Sequence, residues 1–84
     1  MTYAVLIERR AQRALAKIAQ PRRDRIIAAI QRLGDEPRPA GVKKLSGREA
    51  WRIRVGAYRV LYEIRDSQLI VLVVDVGHRR GIYR

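Results

Sequence analysis

From Trp51 to Val55, and again from Tyr58 onward, apolar residues occupy every second position, with Gly56-Ala57 between the two runs. A period of two is what a strand with one buried face requires, and a helix would scatter the same residues around its axis. A two-residue turn at Gly56-Ala57 also fixes the register of the hairpin. Val55 then faces Tyr58, Ile53 faces Val60 and Trp51 faces Tyr62 on the core side, while Arg54 faces Arg59 on the other. Asp66-Ser67 reads as a second turn. The unbroken apolar run Leu69-Ile70-Val71-Leu72-Val73-Val74 reads as a central strand covered on both faces.

The first half follows a different rhythm. Tyr3 to Ile7 is short and rich in β-branched and aromatic residues, a first strand ended by Glu8-Arg9-Arg10. From Arg9 to Ala19, Ala11, Ala14, Leu15 and Ile18 recur at helical spacing, with Arg10, Arg13 and Lys17 elsewhere on the wheel. Gln20-Pro21 interrupts this helix, and Pro21 suits the first turn of a second one. The second helix is expected from Pro21 to Leu33, with Ile26, Ile27, Ile30 and Leu33 on its apolar stripe and Gly34 at its end. Two helices joined so tightly form a hairpin whose stripes need a sheet to cover them. Asp35 to Gly41, with two prolines and a glycine, is a loop leading into the basic segment Val42 to Gly47. The reading is α+β in the order β-α-α-β-β-β, with a mainly antiparallel, curved sheet. At 84 residues the chain can build one core and is read as one domain.

The formal net charge is +11 and the isoelectric point near 11.4. A field of that sign draws polyanions: nucleic acid, an anionic membrane surface or an acidic protein. Only three of the 19 basic residues are lysines, Lys17, Lys43 and Lys44. A planar guanidinium grips phosphate or carboxylate through two parallel hydrogen bonds, so this bias favours phosphate. With no Cys there is no disulfide scaffold, thiol nucleophile or thiolate zinc site. A single His and no acidic cluster argue against a metal-dependent enzyme, and no cofactor is expected. The N-terminal run meets Glu8 too early for a signal peptide and no segment reaches membrane-spanning length, so the chain is read as cytoplasmic.

Arg52, Arg54 and Arg59 converge on one face of adjacent strands, and Lys44, Arg79 and Arg80 flank the strand ends. Arginines directly opposed across a sheet repel unless an anion lies between them, which points to a phosphate-binding face; a merely solvated face is the other reading. RNA can be cut without metal when its ribose 2′-hydroxyl attacks the adjacent phosphate. Something must then take the hydroxyl proton and something must hold the growing phosphate charge. Arginines suit the second task. For proton transfer the candidates are His78 and the tyrosines, Tyr83 foremost; ordinary packing for Tyr83 and simple anion holding for His78 are the alternatives.

Four stretches together resemble the RelE-type toxins of bacterial and archaeal toxin–antitoxin modules. They are Lys44-Leu45-Ser46-Gly47, the run from Trp51 to Ile64 with Arg-Val-Gly-Ala-Tyr-Arg-Val-Leu-Tyr at its heart, Val76-Gly77-His78-Arg79-Arg80, and Ile82-Tyr83-Arg84. The resemblance implies a helical hairpin on a curved sheet whose basic concave face holds RNA. It implies entry into the ribosomal A site and messenger RNA cleavage by 2′-hydroxyl attack, leaving a 2′,3′-cyclic phosphate. Carried over by position, the working residues are Arg52, Arg54, Arg59, Arg79 and Tyr83; the expected site has Arg59, Arg79 and Tyr83 in catalysis and Arg52 and Arg54, with the neighbouring Lys44, His78 and Arg80, on RNA phosphates. Arg52 and Arg54 stand where lysines often occur, and a guanidinium, with a pKa above about 12, clamps phosphate better than it transfers protons. The partners implied are an acidic antitoxin, the ribosome and messenger RNA, with no membrane. Two other readings share much of this ground: a ParE-like gyrase inhibitor of the same fold, and an RNA-binding module without catalysis.

Overall fold

A computed structural model describes residues 2–47 and 49–78. The elements are β1 (Ala4–Ile7), α1 (Arg9–Ala16), α2 (Arg22–Arg32), β2 (Lys43–Lys44), β3 (Trp51–Val55), β4 (Tyr58–Arg65), a 3₁₀ turn (Asp66–Gln68) and β5 (Ile70–His78). They form one sheet in the order β1-β5-β4-β3-β2, in which β1 runs parallel to β5 and every other pair is antiparallel. The α+β reading and the hairpin register hold: Trp51 pairs with Tyr62, Ile53 with Val60, Arg54 with Arg59 and Val55 with Tyr58.

Both helices lie on one face of this sheet. Ala11, Leu15 and Ile18 from the first helical segment and Ile26, Ile30 and Leu33 from the second meet Ile53, Val60, Tyr62, Val71, Val73 and Val76 in a single buried cluster. Ala29 takes the buried place expected for Ile27, which stays half-exposed. The first helix stops at Ala16 and not Ala19. Lys17 and Ile18 tighten its end by donating to Ala14 and Leu15, three residues back, and the residue preceding a proline is disfavoured in helical conformation. Ile18 remains in the core although it has left the helix.

The last strand departs from expectation in two ways. It runs on through Asp75 and Gly77 to His78, because a β-bulge opposite Leu61/Tyr62 absorbs one extra residue and resets the alternation. Among the described residues it is also covered on one face only. β5 lies between β1 and β4, and Val71, Val73 and Val76 are buried beneath the helices. Ile70, Leu72 and Val74 point the other way and are half-exposed, beside Leu6, which is 49% exposed.

The loop after α2 is stapled to the sheet at two points. The Tyr62 hydroxyl, buried, donates to the Pro37 carbonyl at 2.7 Å, and burial pushes its pKa up. Arg38 reaches the Asp66 carboxylate at 3.0 Å and lies 5.1 Å from the Trp51 ring centre, and the Tyr3 hydroxyl donates to the same carboxylate at 2.6 Å. The Arg38 and Tyr3 hydrogen bonds hold the Asp66 pKa below its ordinary value. A carboxylate whose folded pKa is depressed stabilises the fold above its unfolded pKa and ceases to as pH falls through the folded one. Asp66→Asn is therefore expected to melt below wild type at pH 7. The gap should begin to narrow under about pH 4 and then close, as paired denaturant melts at pH 7 and pH 2 would read.

Candidate nucleic-acid interface

On the helix-free face the register sets side chains in rows that cross the strands. One row runs Lys43, Arg52, Leu61, Asp75, and the next holds Arg54 opposite Arg59. Two cationic pairs thus sit directly across strand junctions, Lys43 with Arg52 and Arg54 with Arg59. Opposed side chains stand roughly 5 Å apart at Cβ and like charges there cost stability. Arg52 and Arg59 are half-buried beside Leu61, which is buried, whereas Lys43 and Arg54 are exposed. Long guanidinium stems lying along apolar surface keep their charged ends at its rim, so the row is held in position as well as charged.

Local backbone explains how the fourth cation joins. Gly41 has φ of +85°, in the left-handed region open to glycine, and this turns the loop into β2 so that Lys43 lands beside Arg52. Gly41, Lys43, Arg52 and Arg54 line a groove of about 250 Å³. Asp75, at the end of its row, is met by Arg10 at 3.3 Å and accepts a hydrogen bond from the Val76 amide at 2.9 Å.

The residues singled out from the sequence divide between the two faces. Arg52, Arg54 and Arg59 come together on the helix-free one. Lys44 does not join them: it pairs with Trp51 on the helix side, its Nζ 3.2 Å from Glu49 and 5.9 Å from the Trp51 ring centre. His78 is also on the helix side, opposite Tyr58, with the two rings edge to face at 5.7 Å. Lys43 takes the place on the basic face expected of Lys44. The signal for it was period two carried back across the sheet, invisible until the two-residue β2 is recognised as a strand. Arg79, Arg80 and Tyr83 lie outside the described residues.

This arrangement can hold consecutive phosphates and can stabilise charge that grows on one of them. Among the described residues no group of three or more His, Cys, Asp or Glu could hold a metal ion, and no helix is long and apolar enough to cross a membrane.

Residues 5–83 match the family model described as the ParE toxin of the type II toxin–antitoxin system parDE. Toxin RelG of Mycobacterium tuberculosis is 38% identical over 90 residues, covering 100% of this chain and 99% of that protein. The archaeal RelE–RelB complex of Pyrococcus horikoshii contains a chain that superposes with a TM-score of 0.83 at 28% identity, covering 99% of this chain and 100% of that one. The RelBE2 toxin–antitoxin complex of Mycobacterium tuberculosis gives a TM-score of 0.73 at 31% identity, covering 94% of this chain and 100% of that one.

Proposed function

The chain belongs to the RelE/ParE superfamily of type II toxin–antitoxin toxins, and on that premise we propose that it is a metal-independent endoribonuclease that cuts messenger RNA in the ribosomal A site. The observation that carries this reading is the cation set that the strand register gathers on one sheet face, Lys43, Arg52, Arg54 and Arg59, directly opposed across two strand junctions. In the proposed reaction the 2′-hydroxyl attacks the adjacent phosphorus, the 5′-oxygen leaves, and a 2′,3′-cyclic phosphate remains. Arg59 and Arg79 hold the charge of the phosphorane-like transition state, and Arg52, Arg54, Lys43 and Arg80 fix the neighbouring phosphates. Water takes the proton of the attacking 2′-hydroxyl and Tyr83 protonates the leaving 5′-oxygen, so that one proton is removed and one supplied. His78, turned to the helix side with Tyr58, steadies the end of β5. An acidic antitoxin restrains the toxin until ribosomes in the cytoplasm are to be attacked.

A gyrase-directed activity is the second reading, favoured by the description of the matching family model. An in vitro translation reaction run beside a gyrase supercoiling assay separates the two. The proposal expects halted synthesis and messenger fragments ending in 2′,3′-cyclic phosphate, with gyrase supercoiling untouched. Intact messenger with supercoiling inhibited would replace it by the gyrase reading.

A further inference from the structure

The tight turn between β3 and β4 stands beside α2, on the helix side of the sheet. Arg22 and Arg25 lie three residues apart on that helix, one above the other, with Cβ atoms roughly 5–6 Å apart. Asp24, the acid of the same turn, falls by helical periodicity on another flank, where it accepts from Gln20 at 3.3 Å. Among the described residues neither arginine meets a carboxylate. Both line a pocket of about 120 Å³ whose other wall is the turn itself, from Val55 to Tyr58.

Tyr58 brings a third polar group to this pocket. It is half-buried, its ring stands edge to face with His78 at 5.7 Å, and its hydroxyl has no hydrogen-bond partner among the described residues. Two guanidinium groups and a phenol together call for an anion with several acceptor oxygens. A carboxylate offers one edge, which a single guanidinium fills. A phosphate offers more, so it can answer both arginines and the phenol at once. The pocket is small enough to take a phosphate group and leave the rest of its molecule outside.

We infer that Arg22, Arg25 and Tyr58 form a second phosphate site, on the opposite face of the sheet from Lys43, Arg52, Arg54 and Arg59. The phosphate comes from one of two sources. An RNA strand can pass over the turn, where Gly56 and Ala57 are exposed and present nothing larger than a methyl group. A free nucleotide can present the same group. The site stands or falls apart from the cleavage proposed above, because none of its three residues belongs to that set.

The first test titrates the full chain with inorganic phosphate at fixed salt, followed by nuclear magnetic resonance. Saturable shifts are expected at the Gly56 and Ala57 amides and at Nε of Arg22 and Arg25. The double variant Arg22→Gln, Arg25→Gln should weaken the affinity read there by about tenfold or more, and Tyr58→Phe by roughly threefold. Arg9→Gln with Arg13→Gln removes the same charge from exposed positions of α1 and should leave that affinity within about twofold. Signals at the turn that stay still, or an equal loss in both double variants, would overturn the site. Adenosine 5′-monophosphate and an RNA oligonucleotide made uncleavable by 2′-deoxy substitution then separate the sources. If RNA supplies the phosphate, Arg22→Gln, Arg25→Gln lowers oligonucleotide affinity, and the slope of log affinity on log salt flattens by about 0.7, the share of one single-strand phosphate. If a free nucleotide supplies it, only the monophosphate affinity falls. A fall in neither would leave the site without a phosphate-bearing ligand and overturn the inference.

Discussion

Arg59→Ala is expected to slow single-turnover messenger cleavage on programmed ribosomes by about 10²–10³-fold, the loss typical of removing one preorganised donor to transition-state charge. Arg59 sits on an interior strand, half-buried, directly opposite Arg54 and beside Leu61 in β4. A guanidinium held in that position need not reorganise as charge grows on the phosphate, which is why its removal should fall on the rate more than on binding. Arg59→Lys keeps the charge and loses the planar fork, so it should recover only part of the rate. Thermal melts of both variants check that the fold persists. Equal rates in wild type and Arg59→Ala, with both folded, would take Arg59 out of the catalytic set.

The second large effect is on stability. Tyr62→Ala is expected to lower the melting temperature by about 15–30 °C. Tyr62 is 0% exposed, packs at the centre of the single core cluster and ties the loop after α2 through its bond to Pro37. Removing a buried aromatic costs about 3–5 kcal/mol, against a total on the order of 5–10 kcal/mol for a domain of this length. Tyr62→Phe keeps the ring and forfeits only the hydroxyl bond, a loss of about 1 kcal/mol. Circular dichroism melts of the pair separate the packing contribution from the hydrogen bond, and a cooperative wild-type-like transition in Tyr62→Ala would contradict the central place given to this residue.

The hairpin was legible because a two-residue turn leaves one register in which both strands bury their apolar sides, and that register sets Arg54 against Arg59. The helical hairpin was legible from its periodicity, although the end of its first helix was not: Ile18 keeps the helical spacing of its predecessors while packing from outside the helix. β2 escaped because two residues carry no period at all. That omission transferred the basic-face role from Lys43 to Lys44, since a shift of one residue in a strand moves a side chain to the opposite face. The bulge on β5 did the same for the strand end, hiding that His78 faces Tyr58 on the helix side. A long apolar run signals a strand inside the sheet order, yet it does not reveal which of its faces the helices cover; Ile70 and Leu72 look much like Val71 in sequence, but they stay half-exposed where Val71 is buried.

The most direct test of the proposed activity is primer-extension mapping of messenger RNA on purified ribosomes stalled with a defined codon in the A site, with and without the chain, at fixed salt. The endoribonuclease reading predicts new ends within that codon and none on the same messenger free of ribosomes. Messenger left intact on ribosomes, or cut equally well without them, would contradict it.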